Sequence, residues 1–532
     1  MTRLVLLASL LSITACAAAP GDGPDVEYVR PVVVAEHPVA LDNPQEETVV
    51  WPIWGGAFTP DEPVSIRAVL APGGAGASGL VIAGPGEPEA RAAVELTADG
   101  GAWALRERAG DEVIQERTIA APAPAELVVT VDGAAVEVRA GDAVTTLRLA
   151  APLAPAGEAA GLYVHLDPGA TLELREIAMS QALPAAPELG TPLRELAEAR
   201  GIEFGSAIDI WPPLHDLGFE ALLAEQFSAA APTELYWATT RGEDRDYFFV
   251  PADLSINYAT VHGQAVTGMF LVWDFELPGW VTELGESGDA EALGAVFDEH
   301  ITTLVSRYRG KVDAWIVVNE AIWGPDETGD EFAEYAWSIW SDVLGVEFIE
   351  RAFRTARAAD PEAVLLYNET GAEALGLKSD FMHEMAADLV ARGAPIDGIG
   401  LQFHVDAAAP PDLDDVRANM ERIAALGLDI YITELDVSIA GTDAAQLELQ
   451  ADIYAGIVGT CLAVPACRST TVFGFSDRYA WDELGDAAPL LFDADYAAKP
   501  AFRAVQRVLE GGDRGRSARR SNATSATSSS RG

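Results

Sequence analysis

Two apolar runs of the sequence each end in a glutamate. Residues 317–321 read VVNEA and residues 432–436 read ITELD, which places the carboxylates at Glu320 and Glu434. Buried parallel strands are near-continuous apolar runs, and the residues at their C-terminal ends reach the mouth of a barrel. Two carboxylates from different strands are the minimum equipment for cleaving a glycosidic bond by acid/base and nucleophilic catalysis. The pair predicts such a site, provided that the surrounding elements bring the two strand ends together.

Amide, carboxylate and indole side chains follow several other strand-like runs. Carboxylates and amides bind sugar hydroxyls by hydrogen bonding, and an indole stacks on the apolar face of a sugar ring. Because no cysteine nucleophile or cluster of metal ligands accompanies them, we expect neither a metal nor another cofactor. The side chains at the ends of these runs are Tyr236, Trp237, Trp273, Asp274, Asn319, Glu320, Asn368, Glu369, Gln402, His404, Glu434, Asp436, Asp477 and Trp481.

The second half of the chain alternates apolar runs with helical patterns. Between residues 291 and 308, for example, apolar side chains recur at spacings of three and four, as on one face of a helix. Eight such β/α units are typical of an α/β fold, the (β/α)8 TIM barrel, whose functional groups lie at the C-terminal ends of the strands. A doubly wound open sheet is the alternative, but no glycine-rich phosphate loop follows an early strand. The predicted strands are residues 202–208, 235–238, 265–273, 314–318, 363–367, 396–401, 429–433 and 470–475.

Residues 32–179 instead contain short runs of alternating apolar and polar side chains, separated by Gly, Pro and Asp. This pattern predicts an antiparallel all-β sandwich with a jelly-roll-like layout, similar to concanavalin-type and carbohydrate-binding folds. A hairpin is expected with its turn at residues 132–133 (Asp-Gly). Trp51, Trp54 and Trp103 either form a sugar-stacking face or fill the core, so carbohydrate binding and a spacer role both remain open.

The composition is strongly acidic. The 532 residues include 34 basic and 83 acidic side chains, which give a net charge of −49. Nucleic acids and anionic membrane surfaces require a positive face on the protein, so neither is an expected partner. The acidity is typical of a solubilising, salt-adapted surface.

The N-terminus has the pattern of an export signal. Arg3 precedes an apolar stretch at residues 4–13, which is too short to span a bilayer as a mature helix. The stretch leads into Ile-Thr-Ala-Cys, which resembles the bacterial lipobox, where the cysteine (here Cys16) is lipidated and becomes the new N-terminus. An ordinary cleaved signal with a chance cysteine is the alternative. We therefore expect an exported protein, either lipid-anchored in the bacterial cell envelope or secreted, that contacts a membrane only through its lipid.

Export permits disulfide bonds. Cys461 and Cys467 flank a short loop that follows a helical pattern and precedes an apolar run. We predict a disulfide between them, with two reduced buried thiols as the alternative. No histidine pair lies near them at the spacing of a metal site.

With these segments identified, the second half of the chain resembles glycoside hydrolase family 10, the retaining endo-β-1,4-xylanases. The match covers about residues 193–508, and several motifs in the same order are a far more specific signal than any single one. The matching segments are residues 204–209, Trp273 with residues 277–280, residues 318–321, residues 396–402 with His404, residues 432–436, the pair Cys461 and Cys467, residues 477–481 and residues 489–493.

These observations divide the chain into six segments. The boundaries are a lipoprotein-type signal segment at residues 1–16, a linker at 17–29, the β-sandwich at 30–181, a second linker at 182–192, the (β/α)8 glycoside hydrolase domain at 193–510 and a disordered tail at 511–532.

The resemblance implies a role for each matching residue. Glu320 would be the acid/base and must begin protonated, whereas Glu434 would be the nucleophile and must be ionised. Asn319 would hydrogen-bond the 2-hydroxyl of the sugar at the cleaved bond. His404 and Asp436 would orient Glu434 and keep it ionised, with a purely structural His404 as the alternative.

Five further side chains are candidates for contact with the substrate. By the same resemblance, Trp273 and Trp481 would form the walls of the cleavage subsite, although plain packing is an alternative for Trp481. Gln402, Tyr236 and Glu276 are the other residues that we expect to bind or orient the sugar.

The sequence departs from the family pattern in the half of the site that binds the glycone. Where the family has Glu-Asn-Glu-Met-Lys-Trp, residues 232–237 read Pro-Thr-Glu-Leu-Tyr-Trp, so that Tyr236 replaces a lysine. Met269 and Asp274 replace two histidines, and Glu276 replaces a glutamine. Loss of hydrogen-bond partners in a buried polar site typically costs a few kcal/mol each for the original ligand. We therefore expect the catalytic chemistry to be retained and the glycone pocket to be rebuilt, so that unmodified xylan is a poor substrate.

These expectations define one function and one alternative. The first is a monomeric, retaining, xylanase-like endo-β-1,4-glycanase whose partner is β-1,4-xylan or a related β-linked polysaccharide. The alternative is a cell-surface glycan-binding lipoprotein with weak or no catalysis. A polyanionic sugar suits neither, because of Asp274, Glu276 and the overall charge.

Overall fold

The alternating runs of the N-terminal half form two six-stranded antiparallel sheets in a computed structural model of the chain. The structure describes residues 27–42, 49–52, 63–84, 92–99, 102–109, 112–119, 121, 125–153, 160–182, 187–210, 216–243, 245–325, 332–481 and 487–511. The strand orders are β1-β12-β3-β8-β9-β10 and β2-β11-β4-β5-β6-β7. The strands are β1 (Glu27–Asp42), β2 (Val49–Pro52), β3 (Val64–Gly74), β4 (Ser78–Ala83), β5 (Ala92–Asp99), β6 (Ala102–Ala109), β7 (Glu112–Ile119), β8 (Ala125–Asp132), β9 (Ala135–Ala140), β10 (Ala143–Arg148), β11 (Gly161–Leu166) and β12 (Ala170–Ala182).

Alternation along the strands builds the core of this sandwich. In β3, for example, Val64, Ile66 and Ala68 are buried, and they belong to one apolar cluster with Leu80 and Ile82 of the other sheet. The all-β sandwich predicted from the period of two is therefore confirmed.

Three details refine the predictions for this half. Trp103 is fully buried in the core and so belongs to no exposed sugar-stacking face. Nothing is described for the side chain of Trp51 or for Trp54. The predicted hairpin is present, with Gly133 at a φ of 54° between β8 and β9, and β1 begins at Glu27, within the segment predicted as a linker.

The second half forms a closed parallel barrel, as predicted. The eight barrel strands pair in the order β20-β19-β16-β15-β14-β13-β23-β22, and a further pairing of β20 with β22 closes the ring. The strands of this half are β13 (Glu203–Ile208), β14 (Ala229–Pro232), β15 (Ala265–Gly268), β16 (Ala314–Asn319), β17 (Ile322–Trp323), β18 (Glu334–Tyr335), β19 (Val364–Glu369), β20 (Gly398–Leu401), β21 (His404–Asp406), β22 (Asp429–Ser438) and β23 (Cys467–Val472).

One predicted strand was wrong. Residues 235–238 are not a strand, because a 3₁₀ turn at Thr233–Leu235 and the short helix Trp237–Thr240 occupy this segment. The second barrel strand is Ala229–Pro232, which reads Ala-Ala-Ala-Pro and lacks the branched and aromatic side chains that signal a strand. Small side chains suit this position, since a Cβ on Gly205 of the neighbouring strand would meet the Cβ of Ala229 at 3.0 Å.

Helices pack around the barrel, and several begin at an aspartate cap. The side chains of Asp216, Asp289, Asp412 and Asp443 each accept a hydrogen bond from a backbone N–H of the first turn. The helices of the described residues are α1 (Leu193–Glu198), α2 (Leu217–Gln226), α3 (Trp237–Thr240), α4 (Val250–Val261), α5 (Gly279–Glu286), α6 (Ala290–Arg307), α7 (Ile339–Leu344), α8 (Phe348–Ala359), α9 (Leu377–Ala391), α10 (Leu413–Ala424), α11 (Ala444–Ala463) and α12 (Pro500–Leu509).

The predicted cysteine pair is joined by a disulfide. Cys461 near the end of α11 and Cys467 at the start of β23 are bonded, with their Cα atoms 5.3 Å apart. Among the described residues, none of the helices has the length and apolarity that crossing a membrane requires. The predicted lipidation site Cys16 and the tail beyond residue 511 lie outside the described residues.

Candidate active site

Glu320 and Glu434 open onto the same cavity at the C-terminal end of the barrel. Glu320 directly follows β16, and Glu434 lies in β22. The cavity has a volume of about 1020 Å³. The side chains that line it include Asp209, Thr233, Tyr236, Phe270, Trp273, Phe275, Glu276, Glu320, Thr370, Gln402, His404, Glu434, Phe473, Arg478, Tyr479 and Trp481.

Glu434 is buried and contacts two polar neighbours, one of which also contacts Asp436. Asn368 Nδ2 donates a hydrogen bond to Glu434 Oε1 at 2.7 Å. His404 Nε2 lies 3.5 Å from Glu434 Oε2, and His404 Nδ1 lies 2.7 Å from Asp436 Oδ2. The structure thus places His404 between the two carboxylates, as the sequence analysis expected of a residue that orients Glu434.

These contacts determine the protonation states of His404 and Glu434. Burial by itself lowers the pKa of His404. The hydrogen bonds and negative charges of Asp436 and Glu434 together outweigh burial and raise the pKa to about 10. Burial raises the pKa of Glu434, and the hydrogen bonds from His404 and Asn368 oppose that effect. Because the imidazole holds its proton up to about pH 10, we infer that His404 is a cation at neutral pH, and this positive charge favours the ionised form of Glu434 beside it.

Glu320 is only partly buried, and both of its oxygens accept hydrogen bonds. Trp273 Nε1 donates to Glu320 Oε2 at 2.9 Å, and Gln402 Nε2 donates to Glu320 Oε1 at 2.7 Å. Trp273 is therefore more than the apolar wall that was predicted, because its indole N–H also fixes the orientation of this carboxyl group.

A chain of amides connects the two glutamates. Gln402 Nε2 lies 3.3 Å from Asn319 Oδ1, which also accepts a hydrogen bond from Asn368 Nδ2 at 2.8 Å. Thr433 Oγ1 donates to Asn368 Oδ1 at 2.7 Å and so fixes the direction of that amide. Asn319 Nδ2 is buried and makes no hydrogen bond to any described residue. Asn319 is 3% exposed and is not among the residues that line the cavity.

Asn368 and Thr433 belong to the hydrogen-bonded network around Glu434, although the sequence analysis assigned neither a role and named only Asn368 among the strand-end side chains. Asn368 stands at a strand end immediately before a glutamate, the same Asn-Glu pattern as residues 319–320. That repetition was the available signal. Thr433 carried none, because a threonine in a strand is commonplace.

Aromatic side chains line the cavity on two sides. The rings of Trp481 and His404 lie 5.2 Å apart. Tyr236 stacks on Phe270 at 5.4 Å, and Trp273 meets Phe270 nearly edge-on at 5.3 Å. Tyr236, which occupies the position where a lysine was expected, therefore adds to an apolar surface.

Three residues around the cavity have left-handed backbones although they are not glycine. The φ angles are 53° at Glu276, 53° at Glu320 and 62° at Phe403, which precedes His404. Such conformations cost about 1–3 kcal/mol each and persist where the surroundings enforce them. The Phe403 N–H donates to buried Glu373, and the Glu320 N–H donates to the carbonyl of Asn368.

The Tyr367 hydroxyl provides a further clamp next to Glu320. It accepts a hydrogen bond from the Ala321 N–H at 3.1 Å and donates one to Glu369 Oε2 at 2.5 Å. Glu369 is fully buried, and Lys378 lies 3.3 Å from its other oxygen. Burial raises the pKa of Glu369 to about 8, although Lys378 and Tyr367 lower it.

Four of the remaining predicted site residues also line the cavity, whereas Asn319 and Asp436 do not. Tyr236, Glu276, Gln402 and Trp481 all line it. Asp436, by contrast, is buried behind His404 and acts on the cavity only through the imidazole.

Comparison with known proteins identifies relatives of the barrel. The model of glycosyl hydrolase family 10 matches residues 192–508. Endo-1,4-beta-xylanase B of Thermotoga neapolitana is 36% identical over 327 residues, which are 60% of this chain and 92% of that protein. Endo-1,4-beta-xylanase 1 of Humicola insolens is 30% identical over 340 residues, 62% of this chain and 77% of that protein.

Solved structures give the same relationship. Xylanase 10B from Thermotoga petrophila RKU-1, solved in complex with xylobiose, has 37% sequence identity and a TM-score of 0.56, covering 60% of this chain and 98% of its own. Native xylanase 10B from Thermotoga maritima has 37% identity and a TM-score of 0.55, with the same coverage.

The importance of the hydrogen bond from Asn368 to Glu434 can be tested by substituting the neighbouring Gly400. A Cβ on Gly400 would lie 2.2 Å from Asn368 Oδ1, so the Gly400→Ala variant must displace the amide that holds Glu434. We expect turnover to fall by about tenfold or more, because one misplaced hydrogen bond at a reacting group costs roughly that factor. A Cβ on Gly441 would meet nothing within 4 Å, so Gly441→Ala is the matched control. Full activity of the Gly400→Ala enzyme would contradict the proposed importance of this contact.

The charge on His404 predicts how stability depends on pH. Its folded-state pKa of about 10 exceeds the ordinary 6.5, so its stabilising contribution is complete below pH 6.5 and is lost as the pH rises through 10. We expect the difference in unfolding free energy between the wild type and His404→Gln to be largest below pH 6.5, to shrink as the pH rises from 6.5 to 10, and to be smallest above pH 10. Urea unfolding of both proteins across this range measures it. A difference that is constant with pH would mean that His404 is neutral in the fold.

Proposed function

We propose the function of this chain from the premise that it belongs to glycosyl hydrolase family 10. It is a glycoside hydrolase of the endo-1,4-β-xylanase type. We infer that it cleaves a β-linked polysaccharide, β-1,4-xylan or a related β-glycan, by double displacement with retention. The observation that carries this inference is that Glu320 and Glu434 line one cavity and are connected by one network of amides.

The mechanism follows from the different surroundings of the two glutamates. Glu434, a carboxylate beside the cationic His404, attacks the anomeric carbon and forms a covalent glycosyl-enzyme. Glu320 donates its proton to the glycosidic oxygen, so the leaving sugar departs as an alcohol. Glu320 then takes a proton from water, the hydroxide attacks the anomeric carbon, and Glu434 is released as a carboxylate.

The other residues bind the sugar at the cleaved bond. We infer that Asn319, whose Nδ2 has no hydrogen-bond partner among the described residues, donates to the 2-hydroxyl of that sugar, the role that the family implies. Trp273 and Trp481 present ring surfaces to the cavity, and Gln402 keeps Glu320 aimed at the glycosidic oxygen.

The glycone side of the cavity favours a neutral and less polar sugar. Tyr236 and Phe270 form a stacked apolar surface, and Glu276 adds a negative charge at the exposed edge. A uronate-rich chain would meet like charge there. We propose that this half of the site selects a decorated or related β-glycan over plain xylan.

The alternative of a glycan-binding protein without catalysis is not favoured. Binding alone does not require a buried carboxylate, a cationic histidine and a second carboxyl group arranged along one amide network. We further propose that the protein is a monomer, exported and held at the cell envelope by lipid on Cys16. We propose that the predicted domain boundaries hold, except that the sandwich begins at Glu27. Whether the sandwich at residues 30–181 binds carbohydrate or serves as a spacer stays open.

The roles of the two glutamates can be distinguished by comparing substrates that have a poor and a good leaving group. Protonation matters most for a poor leaving group, so Glu320→Ala should lower kcat/KM for a phenyl β-xylobioside by about 10²–10⁴-fold and for a dinitrophenyl β-xylobioside far less. Glu434→Ala removes the nucleophile and should abolish the turnover of both substrates. Glu421→Ala, at an exposed glutamate of α10, is the control. Equal losses on both substrates for Glu320→Ala would contradict its role as the acid.

The Tyr367 clamp predicts a milder version of the same effect. Removing the hydroxyl in Tyr367→Phe leaves the Ala321 N–H without its partner and loosens Glu320. We expect kcat/KM for the phenyl β-xylobioside to fall by about tenfold, with a smaller loss for the dinitrophenyl substrate. Tyr308→Phe, which breaks a buried hydrogen bond to Asp253, is the matched control. A Tyr367→Phe enzyme that loses both activities equally would indicate a general structural role only.

A further inference from the structure

Two aromatic side chains beside the cavity are unusually exposed. Trp337 is 66% exposed and Phe275 is 64% exposed, the highest values among the large apolar side chains of the described residues. Leaving a single apolar side chain in water needs no explanation, but neighbouring exposed aromatic rings mark a surface that binds something.

The exposed rings belong to two contacting pairs. Phe275 lines the cavity, and its ring lies 5.1 Å from that of Trp273, which hydrogen-bonds Glu320. Trp337 lies 5.7 Å from Trp323, which is half-buried, with their planes 48° apart. The Trp273–Phe275 pair is therefore part of the site. What the exposed rings can bind depends on where the Trp323–Trp337 pair lies relative to that site.

Backbone hydrogen bonds fix Trp337 between the loops that carry the site. On one side, the Ala336 N–H donates to the carbonyl of Ala321, the residue after Glu320, at 2.8 Å. On the other side, the Ile339 N–H donates to Asp274 Oδ1 at 3.4 Å, immediately next to Phe275 in the chain. The Trp340 indole also donates to the carbonyl of Trp273 at 3.0 Å. Trp337 thus lies at the rim, where the loops after β15 and β16 meet.

We propose that Trp273, Phe275, Trp337 and Trp323 form an aromatic track that continues the cleft and binds a neutral β-1,4-linked glycan chain beyond the cavity. This inference rests on the proposed function, because the track is continuous with the site that cleaves the chain. Each pyranose ring has an apolar face that an indole or phenyl ring can cover. Asp274 and Glu276 lie beside the track, so a polyanionic chain would be repelled from it.

The track predicts that chain length affects the efficiency of cleavage. We expect a hexasaccharide to gain contacts with the outer rings that a xylobioside is too short to reach. Each stacking contact contributes about 0.5–1.5 kcal/mol, so one lost ring should reduce the binding of the longer chain by about three- to tenfold.

The experiment compares kcat/KM for a long and a short substrate in each variant. In Trp337→Ala, the ratio of kcat/KM for xylohexaose to kcat/KM for phenyl β-xylobioside should fall by about three- to tenfold. Trp337→Phe should recover most of the ratio, because a ring is retained. Leu449→Ala, at an exposed side chain of α11, is the control and should keep the wild-type ratio. Phe275→Ala provides an independent test if Trp337→Ala does not fold.

The outcomes separate the two proposals. A wild-type ratio in both Trp337→Ala and Phe275→Ala would overturn the track while leaving the proposed function intact. A wild-type protein that cleaves neither these substrates nor decorated xylan and other β-1,4-linked glycans would instead overturn the proposed function.

Discussion

The buried amide network between Glu320 and Glu434 is the constraint on which the rest of the site depends. Asn368 hydrogen-bonds Asn319, which is 49 residues away in the sequence, and Glu434, which is 66 residues away. Gln402 hydrogen-bonds Glu320, which is 82 residues away. These hydrogen bonds exist only when the barrel is closed. Because buried amides are costly unless they are satisfied, the network also favours the single strand register that completes it.

Burying so many ionisable groups is expensive, and the fold offsets the cost by pairing them. His404 bridges Asp436 and Glu434, so two carboxylates share one cation. Behind them, Lys378 accompanies the buried Glu369. The chain has a net charge of −49, so cations are scarce, and two of them, His404 and Lys378, accompany carboxylates that are buried at or next to the site.

The same fold combines a maintained reaction centre with altered surroundings. Glu320 and Glu434 line one cavity and are joined by amides, and Tyr236, at a position where the family has a lysine, lines the same cavity, whereas Met269 is fully buried and Asp274 is not in the lining. A stacked aromatic surface replaces polar donors there, and exposed rings continue it at the rim. Specificity can change in this way without disturbing catalysis, because the substituted side chains lie outside the hydrogen-bonded network of the two carboxylates.

The sequence by itself determined the two-part architecture, the two glutamates and most of the barrel strands, because these follow from local periodicity and from short motifs at strand ends. It failed at the second strand, where Ala229–Pro232 has no branched side chains and the stronger apolar run beside it folds as helical turns. Only the tertiary structure decided that Asn368 contacts Glu434, that the Tyr367 hydroxyl hydrogen-bonds the backbone after Glu320, and that Ile339, two residues after Trp337, hydrogen-bonds Asp274. Each of these depends on contacts between loops or strands far apart in sequence, and such contacts form only once the barrel closes and the loops at its C-terminal end meet.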